Sequence, residues 1–579
     1  MRKDLVDFLR DNIEFNLDFD KLLEKPKLDS HGDFSFPCFL LAKELKLAPP
    51  QIAKNLEEEF NLDKPNFISK IQAVGPFLNF YLNSDLESKQ VIESILSGDL
   101  FNFELNQKEK IVIEYPSPNT NKSLHVGHTR NMLLGSALSL ILKKVGHEVL
   151  RVNLNNDRGI AVCKTMLSYQ LFGEGSTPES MNMKEDDFVS FWYVKYGEVN
   201  KEKPELELDK KAQDMLVKWE AGESQVLNLW NKILTWVYAG YKKTFEYYKL
   251  EKFDDEFFES KIYDKGKDIV LNALNNNLDG FKQEEDGAVY VDLEDKGFGK
   301  KYLLRGDLTT LYMTQDIYLA DLKHKKFNAD KYIFVVGQEQ EYHFNVLFEV
   351  LEKLGLGGGN KNFHFSYGYV YDENGNKFSS RLGNTIGADQ VYLDILDEAR
   401  KNLLEKELTK NLQKQELERR AEIIAFSALA FTFLKPNPLS SINFSMKQAL
   451  SFEGETGPYC LYSYARIQSV LKKANFDISL FNVKNLDYAL LNEKEIQLIK
   501  ILKEFNEVVL DSANKYKVSN IANFAIKASQ AFNDFYQNSP ILKVEDENVK
   551  NLRLILAYST SLVLKESLAL LNIEVLEEM

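Results

Sequence analysis

Cysteine is almost absent from this chain: 3 in 579 residues, at Cys38, Cys163 and Cys460. No C-x-x-C pair exists, so neither a thiolate zinc site nor a disulfide framework is expected, and a reducing cytoplasm fits best. No run of about 18 apolar residues occurs, so no membrane-spanning helix is expected. The first residues, MRKDLVDFLRDNIEF, lack the apolar stretch and cleavage site of a secretory signal. Proline and glycine are sparse (14 and 29), without repeats or long low-complexity tracts. Positive charge is in deficit: 72 Lys+Arg against 87 Asp+Glu gives −15. That excludes a surface coated for non-specific nucleic-acid binding but leaves room for a specific RNA held by local patches. What remains, 44% hydrophobic and 27% charged residues, is a globular composition with length for about four domains.

Periodicity divides the chain. In residues 1–100, GDFSFPCFLLAKELKL (32–47) and PPQIAKNLEEEF (49–60) read as helices. ISKIQAVGPFLNFYLN (68–83) reads as strands broken at Gly75-Pro76, with Leu78, Phe80 and Leu82 on one face. Residues 84–109 read as a polar connection. From 110 strands and helices alternate: strand 111–115, a helix over about 129–145 stopped by Gly146, strand EVLRVNLNND, then mostly helix over 160–280. GAVYVDL and KYLLRGD (287–307) are strand-like, TTLYMTQDIYLADLKHKK is helical, KYIFVVG (331–337) is a buried strand, and YHFNVLFEVLEKLG is a helix. Such alternation favours a doubly wound, Rossmann-type parallel sheet. Residues 395–579 show only helical periodicity and read as a bundle.

The most informative stretch is IVIEYPSPNTNKSLHVGHTRN (111–131). A strand feeding a polar turn and then a helix places the turn at the carboxyl edge of the sheet, where open α/β sheets bind ligands. Gly127 lets a nucleotide approach the backbone, and His125 and His128 can donate to phosphate oxygens where the helix dipole favours anions. A second loop, GNKFSSRLGN (375–384), carries Lys377, Ser379, Ser380 and Arg381 between glycines, a composition suited to gripping a triphosphate. On the residues alone these two stretches also suit a small-molecule nucleotidyltransferase or a non-catalytic RNA-binding relative.

The spacing H-V-G-H, followed about 250 residues later by K-F-S-S-R, resembles the two signatures of class I aminoacyl-tRNA synthetases. The second signature usually reads K-M-S-K-S. Its second lysine is replaced here by Ser380, as in many arginyl-tRNA synthetases, where a lysine upstream of the histidine motif is thought to supply the charge; Lys122 occupies that place. Tyr312-Met313-Thr314-Gln315-Asp316 resembles the Y-x-T-x-D motif of arginyl-tRNA synthetases, in which the Tyr and Asp hold the substrate guanidinium. A paired N–H···O contact to a carboxylate is the chemistry such a group requires. Gln340 matches a further pocket residue, with His343 at the family's spacing. Ser117 and Asn119 match residues at the substrate's α-amino and carboxylate end, with Glu114 beside them. Asp157 and Gly159 match an Asp-x-Gly segment in which Arg158 replaces a usual Trp.

The resemblance covers essentially the whole chain. It implies a catalytic core with His125, His128, Lys122 and Lys377 as catalytic residues. ATP would lie against His125, Gly127, His128, Lys377, Ser379 and Ser380, and arginine against Glu114, Ser117, Asn119, Tyr312, Asp316 and Gln340. It implies three parts: an N-terminal α+β additional domain at 1–105 touching the tRNA elbow, a catalytic domain at 106–395 with a mostly helical insertion around 160–290, and a helical anticodon-binding domain at 396–579. Tyr459 and Arg466 are candidates for tRNA contact. Implied partners are ATP with Mg2+, L-arginine and tRNA(Arg), with no protein-bound structural metal, no membrane and a monomeric state. Activation is expected to need bound tRNA. No large editing domain is apparent, consistent with a site whose buried acid rejects substrates lacking a guanidinium.

Overall fold

Two stretches of the central sheet, Lys110–Glu114 and Lys331–Gly337, are rich in β-branched and aromatic residues and almost wholly buried, which is the composition of inner strands of a parallel sheet covered by helices. A computed structural model describes the chain apart from residues 16, 27, 106, 174, 357–360, 373–374, 376–385, 406–411 and 452–453, and the side chains of residues 29 and 446. The chain divides into two compact units. One gathers Phe103–Arg466, Asn506–Ser529 and Leu564–Met579; the other gathers Met1–Asn102, Ile467–Phe505 and Gln530–Val563.

In the larger unit five parallel strands form the central sheet: β1 (Lys110–Glu114), β2 (Glu148–Asn155), β3 (Asp255–Phe258), β4 (Lys331–Gly337) and β5 (Asn362–Tyr367), in spatial order β5-β4-β1-β2-β3. The chain builds outward from β1 through β2 to β3, then returns to the other side of β1 for β4 and β5. The reversal puts the topological switch point between β1 and β4, whose register pairs Glu114 with Phe334. Helix α1 (Val126–Lys144) connects β1 to β2. Fourteen of its 19 residues are buried, so it is a helix of the interior and not an amphipathic surface helix. Gly135 lets it lie directly on the Tyr115 ring.

Between β2 and β3 the insertion is helical: α2 (Ile160–Phe172), then Glu185–Glu202, Leu208–Glu220 and Ser224–Tyr247. The sequence reading missed β3, a four-residue strand in a polar stretch (DEFF) too short to show a period. GAVYVDL and KYLLRGD are strands, but they lie outside the parallel sheet. With Phe281–Gln283 they form a separate antiparallel sheet over its own core of Val289, Val291, Leu293, Leu303 and Leu304. A connection of five residues between them permits only a hairpin. Helix α3 (Tyr312–Phe327) precedes β4, and α4 (Glu341–Lys353) joins β4 to β5. In the C-terminal part, expected to be wholly helical, Ile442–Asn443 instead forms a two-residue parallel strand with Val370–Tyr371.

The smaller unit carries a three-stranded antiparallel sheet, Phe34–Pro37, Phe77–Leu82 and Ile68–Val74, with Phe77–Leu82 central. Residues 34–37 are therefore strand where helix was expected; Phe34 and Phe36 alternate with Ser35, whose hydroxyl donates to buried Asn79 Oδ1 at 2.7 Å. The stretch expected as a connection is the helix Ser84–Ser97, capped by Asn83, with Val91, Ile92 and Ile95 buried. Within this unit Lys500 and Lys503, on the helix Glu493–Lys503, bond Asp33 and Glu87 at 2.9 and 2.6 Å.

Candidate active site

The first signature builds its own geometry from the backbone. His125 is the N-cap of α1, and its Nδ1 accepts the Gly127 N–H at 3.1 Å. His128 Nδ1 accepts the His125 N–H at 3.1 Å, which closes a reciprocal capping box. The two rings lie 4.1 Å apart, centroid to centroid. A Cβ on Gly127 would stand 2.9 Å from His125 Cε1, so glycine is what lets that ring fold back over the helix start. With both Nδ1 atoms accepting, the proton of each neutral imidazole resides on Nε2, where it is available to an oxygen acceptor. Burial, reinforced by the charge of Lys122, lowers His125 to about 4 and takes His128 well below its ordinary 6.5. Both are therefore neutral donors near pH 7, while the positive charge at this end of the helix belongs to Lys122 and to the helix dipole.

These groups border a cavity of about 730 Å³ at the switch point. Glu114, Ser117, Asn119, Lys122, His125, Gly127 and His128 line it from β1 and its turn, Asp316 from α3, and Gln340 and His343 from the segment after β4. Ser117 sits at φ 51°, and its hydroxyl accepts the Leu154 N–H at 3.3 Å while its own N–H donates to Asn153 Oδ1 at 3.1 Å. The turn is thus tied to β2. Asp157, near the end of β2, is buried and bound by the N–H and hydroxyl of Ser260, each at 2.8 Å. The Arg158 guanidinium lies 3.7 Å over the Tyr263 ring.

Asp316 Oδ2 is 2.7 Å from His343 Nε2, and this contact raises the His343 pKa above its ordinary value. Both side chains are about one-third exposed, so the pair is open to exchange with a ligand. Tyr312 behaves differently. It is the first residue of α3, 76% exposed, and does not border the cavity. Lys377, Ser379, Ser380 and Arg381 lie outside the described residues. The chain on either side of their loop does reach the site: Gly368, Tyr369 and Val370 line the cavity, and Ile386–Ala388 bonds the first signature. There the Val126 N–H donates to Ile386 O at 3.1 Å and the Ala388 N–H to Leu124 O at 2.9 Å.

Two site groups were not expected. Lys323 is 1% exposed, lines the cavity and donates from Nζ to Glu114 Oε2. Its signal was periodicity: Asp316, Leu319, Ala320 and Lys323 follow i, i+3, i+4, i+7 on α3, and all four border the cavity. Arg130 is fully buried and donates to Gly368 O at 2.6 Å and Asn437 O at 3.3 Å, bracing the strand segment that lines the cavity. The candidate tRNA residues Tyr459 and Arg466 are partly exposed on the helix Gly457–Lys473, with Arg466 stacked 4.7 Å over Tyr462.

Comparison with known proteins agrees with this architecture. Residues 90–446 match the family model described as tRNA synthetases class I (R), catalytic domain. Residues 460–579 match the DALR anticodon binding domain, and residues 2–82 the arginyl tRNA synthetase N terminal domain. The chain is 40% identical over 571 residues to an arginine–tRNA ligase of Treponema denticola, covering 96% of this chain and 94% of that one. It is 36% identical to one of Bacteroides fragilis, covering 96% and 95%. The solved arginyl-tRNA synthetase of Thermus thermophilus superposes with a TM-score of 0.81 at 25% identity, over 100% of both chains.

Proposed function

Because this chain belongs to the arginyl-tRNA synthetase family, we propose that the switch-point cavity is where arginine and ATP react, with the residue roles set out below. The enzyme is an arginine–tRNA ligase of the class I type: it activates L-arginine with ATP and transfers it to tRNA(Arg). The arginine carboxylate attacks the α-phosphorus, the α–β phosphoanhydride bond breaks, and pyrophosphate leaves. A hydroxyl of the terminal ribose then attacks the arginyl carbonyl carbon, and AMP leaves.

The observation that carries the assignment of roles is that one cavity unites two chemistries. His125 and His128 offer Nε2–H donors at a helix N-terminus beside Lys122, while Asp316 and Gln340 offer acceptors for a planar cation. Catalysis is then mainly positioning and electrostatic stabilisation of charge developing on pyrophosphate. Lys122 supplies the charge that Ser380 does not. Lys377, Ser379 and Ser380 are proposed to act on ATP, and Tyr312 on the guanidinium, as the family resemblance implies. Ser117, Asn119 and Glu114 face the amino-acid end. Mg2+ would enter on the triphosphate, held largely by phosphate oxygens.

The division into residues 1–105, 106–395 and 396–579 is proposed as a division of labour: tRNA elbow, chemistry, and anticodon, with Tyr459 and Arg466 as tRNA contacts. No described helix is long and apolar enough to cross a membrane; a cytoplasmic monomer is proposed. Charging assays with purified tRNA(Arg), testing all amino acids, examine the reading directly. Arginine alone should be esterified, and ATP–pyrophosphate exchange should require tRNA. Exchange with arginine in the absence of tRNA would remove the tRNA requirement; a preference for another amino acid would remove the roles given to Asp316 and Gln340.

A further inference from the structure

The chemistry above places Glu114 at the amino-acid end but gives no part to Lys323, the lysine buried against it. Glu114 ends β1 on the cavity wall, its side chain 8% exposed, and Lys323 reaches it from α3. Nζ of Lys323 rests 4.7 Å from the Phe334 ring centroid and 5.9 Å from that of Phe257, so the ammonium sits among aromatic faces with one carboxylate oxygen, Oε2, as its acceptor. Glu114 Oε1 accepts no hydrogen bond from the described residues. A fixed ammonium on one oxygen limits the carboxyl group to one orientation, while the second oxygen stays open to a further cation.

Asp316 and Lys323 are seven residues apart on one face of α3, about 10 Å along the axis. The cavity thus has an acid toward each end of that face: Asp316, and Glu114 carried by Lys323. An amino acid with a cationic side chain has a cation at each end in the same way. We propose that Lys323 is a positioning residue for amino-acid recognition: by binding Glu114 Oε2 it presents Oε1 to the α-ammonium of arginine. This rests on the reading that Glu114 lies at the amino end of the substrate.

The test uses the full-length enzyme with tRNA, in the variants K323M, K323R, E114Q and K323M/E114Q. Steady-state charging supplies KM for arginine and ATP. A second probe is 5-guanidinopentanoate, which keeps the guanidinium and carboxylate of arginine but lacks the ammonium, used as a competitive inhibitor. K323M should raise the arginine KM about tenfold or more while ATP KM and the inhibitor constant stay within about twofold. K323R should recover most of the loss, and the double variant should be no worse than E114Q. Equal loss of arginine and of the inhibitor would mean a packing role and would overturn the proposal. An effect of E114Q without one of K323M would overturn the role of Lys323 alone, whereas no effect of E114Q would overturn the placement of Glu114 and the proposal with it. If a thermal melt shows K323M unfolded at the assay temperature, the decision passes to K323R and the double variant. Near-normal arginine KM in the first and a match to E114Q in the second support the proposal; any other pattern sinks it.

Discussion

On the roles proposed above, Asp316 is the residue on which selectivity turns. A guanidinium that loses its carboxylate forfeits two charge-assisted hydrogen bonds, so Asp316→Ala should raise the arginine KM by about a hundredfold or more and leave the ATP KM nearly unchanged. Steady-state charging measures both; an unchanged arginine KM would favour a different substrate. His343 adds a pH dependence. Its pKa is raised by hydrogen bonding to Asp316, so its folded value lies above its unfolded one. The pair's contribution to stability is therefore complete below pH 6.5 and is lost as pH rises through the folded value. Substrate affinity should run the opposite way, because the imidazolium competes for the oxygen that the guanidinium needs. Arginine KM should fall as pH rises through the His343 pKa, and His343→Asn should flatten that trend. A flat wild-type profile would show that Asp316 does not exchange partners.

At the level of elements, the strand–turn–helix unit β1–α1 governs the site. Its histidines cap the helix, so Nε2 orientation and helix start are one structural fact. Its packing is equally tight: a Cβ on Gly135 would collide with Tyr115 Cγ, and Tyr115 is 1% exposed. Gly135→Ala should cost about 1–3 kcal/mol through overpacking, in spite of the better helix propensity of alanine. Denaturant melts measure this, and a stabilised variant would show that α1 can shift away from the sheet. The element also explains what the sequence reading missed. Its strand and helix were legible because each is long enough to show a period, whereas β3 is four residues of DEFF, and 34–37 became strand only through pairing with 77–80. Lys323 was overlooked because a lysine two turns beyond a recognised acid looks like a solvated helix face. Only the approach of β1, β3 and β4 buries it.

For the whole molecule, the balance of −15 makes recognition of a polyanion depend on local basic groups. The tRNA KM should therefore rise steeply with salt between about 50 and 200 mM, while the arginine KM, set inside the cavity, changes little. Equal salt sensitivity of the two would argue against that separation. The order of motifs along the chain, the alternation of strand and helix from residue 110 and the helical character of the last third follow from local periodicity and turn chemistry. So they could be read one dimension at a time. The switch point is different: it exists because β4 returns to lie beside β1, a pairing of residues some 220 apart. The same holds for the pair of Asp316 with His343, the anchoring of Ile386–Ala388 on Leu124–Val126, and the burial of Lys323 against Glu114. Hydrophobic pattern and propensity act over a few residues, whereas cavity shape and the pairing of charges depend on which distant surfaces meet. That is why the chain by itself named many of the residues that line the cavity, and only the fold decided which acid lies beside which basic side chain.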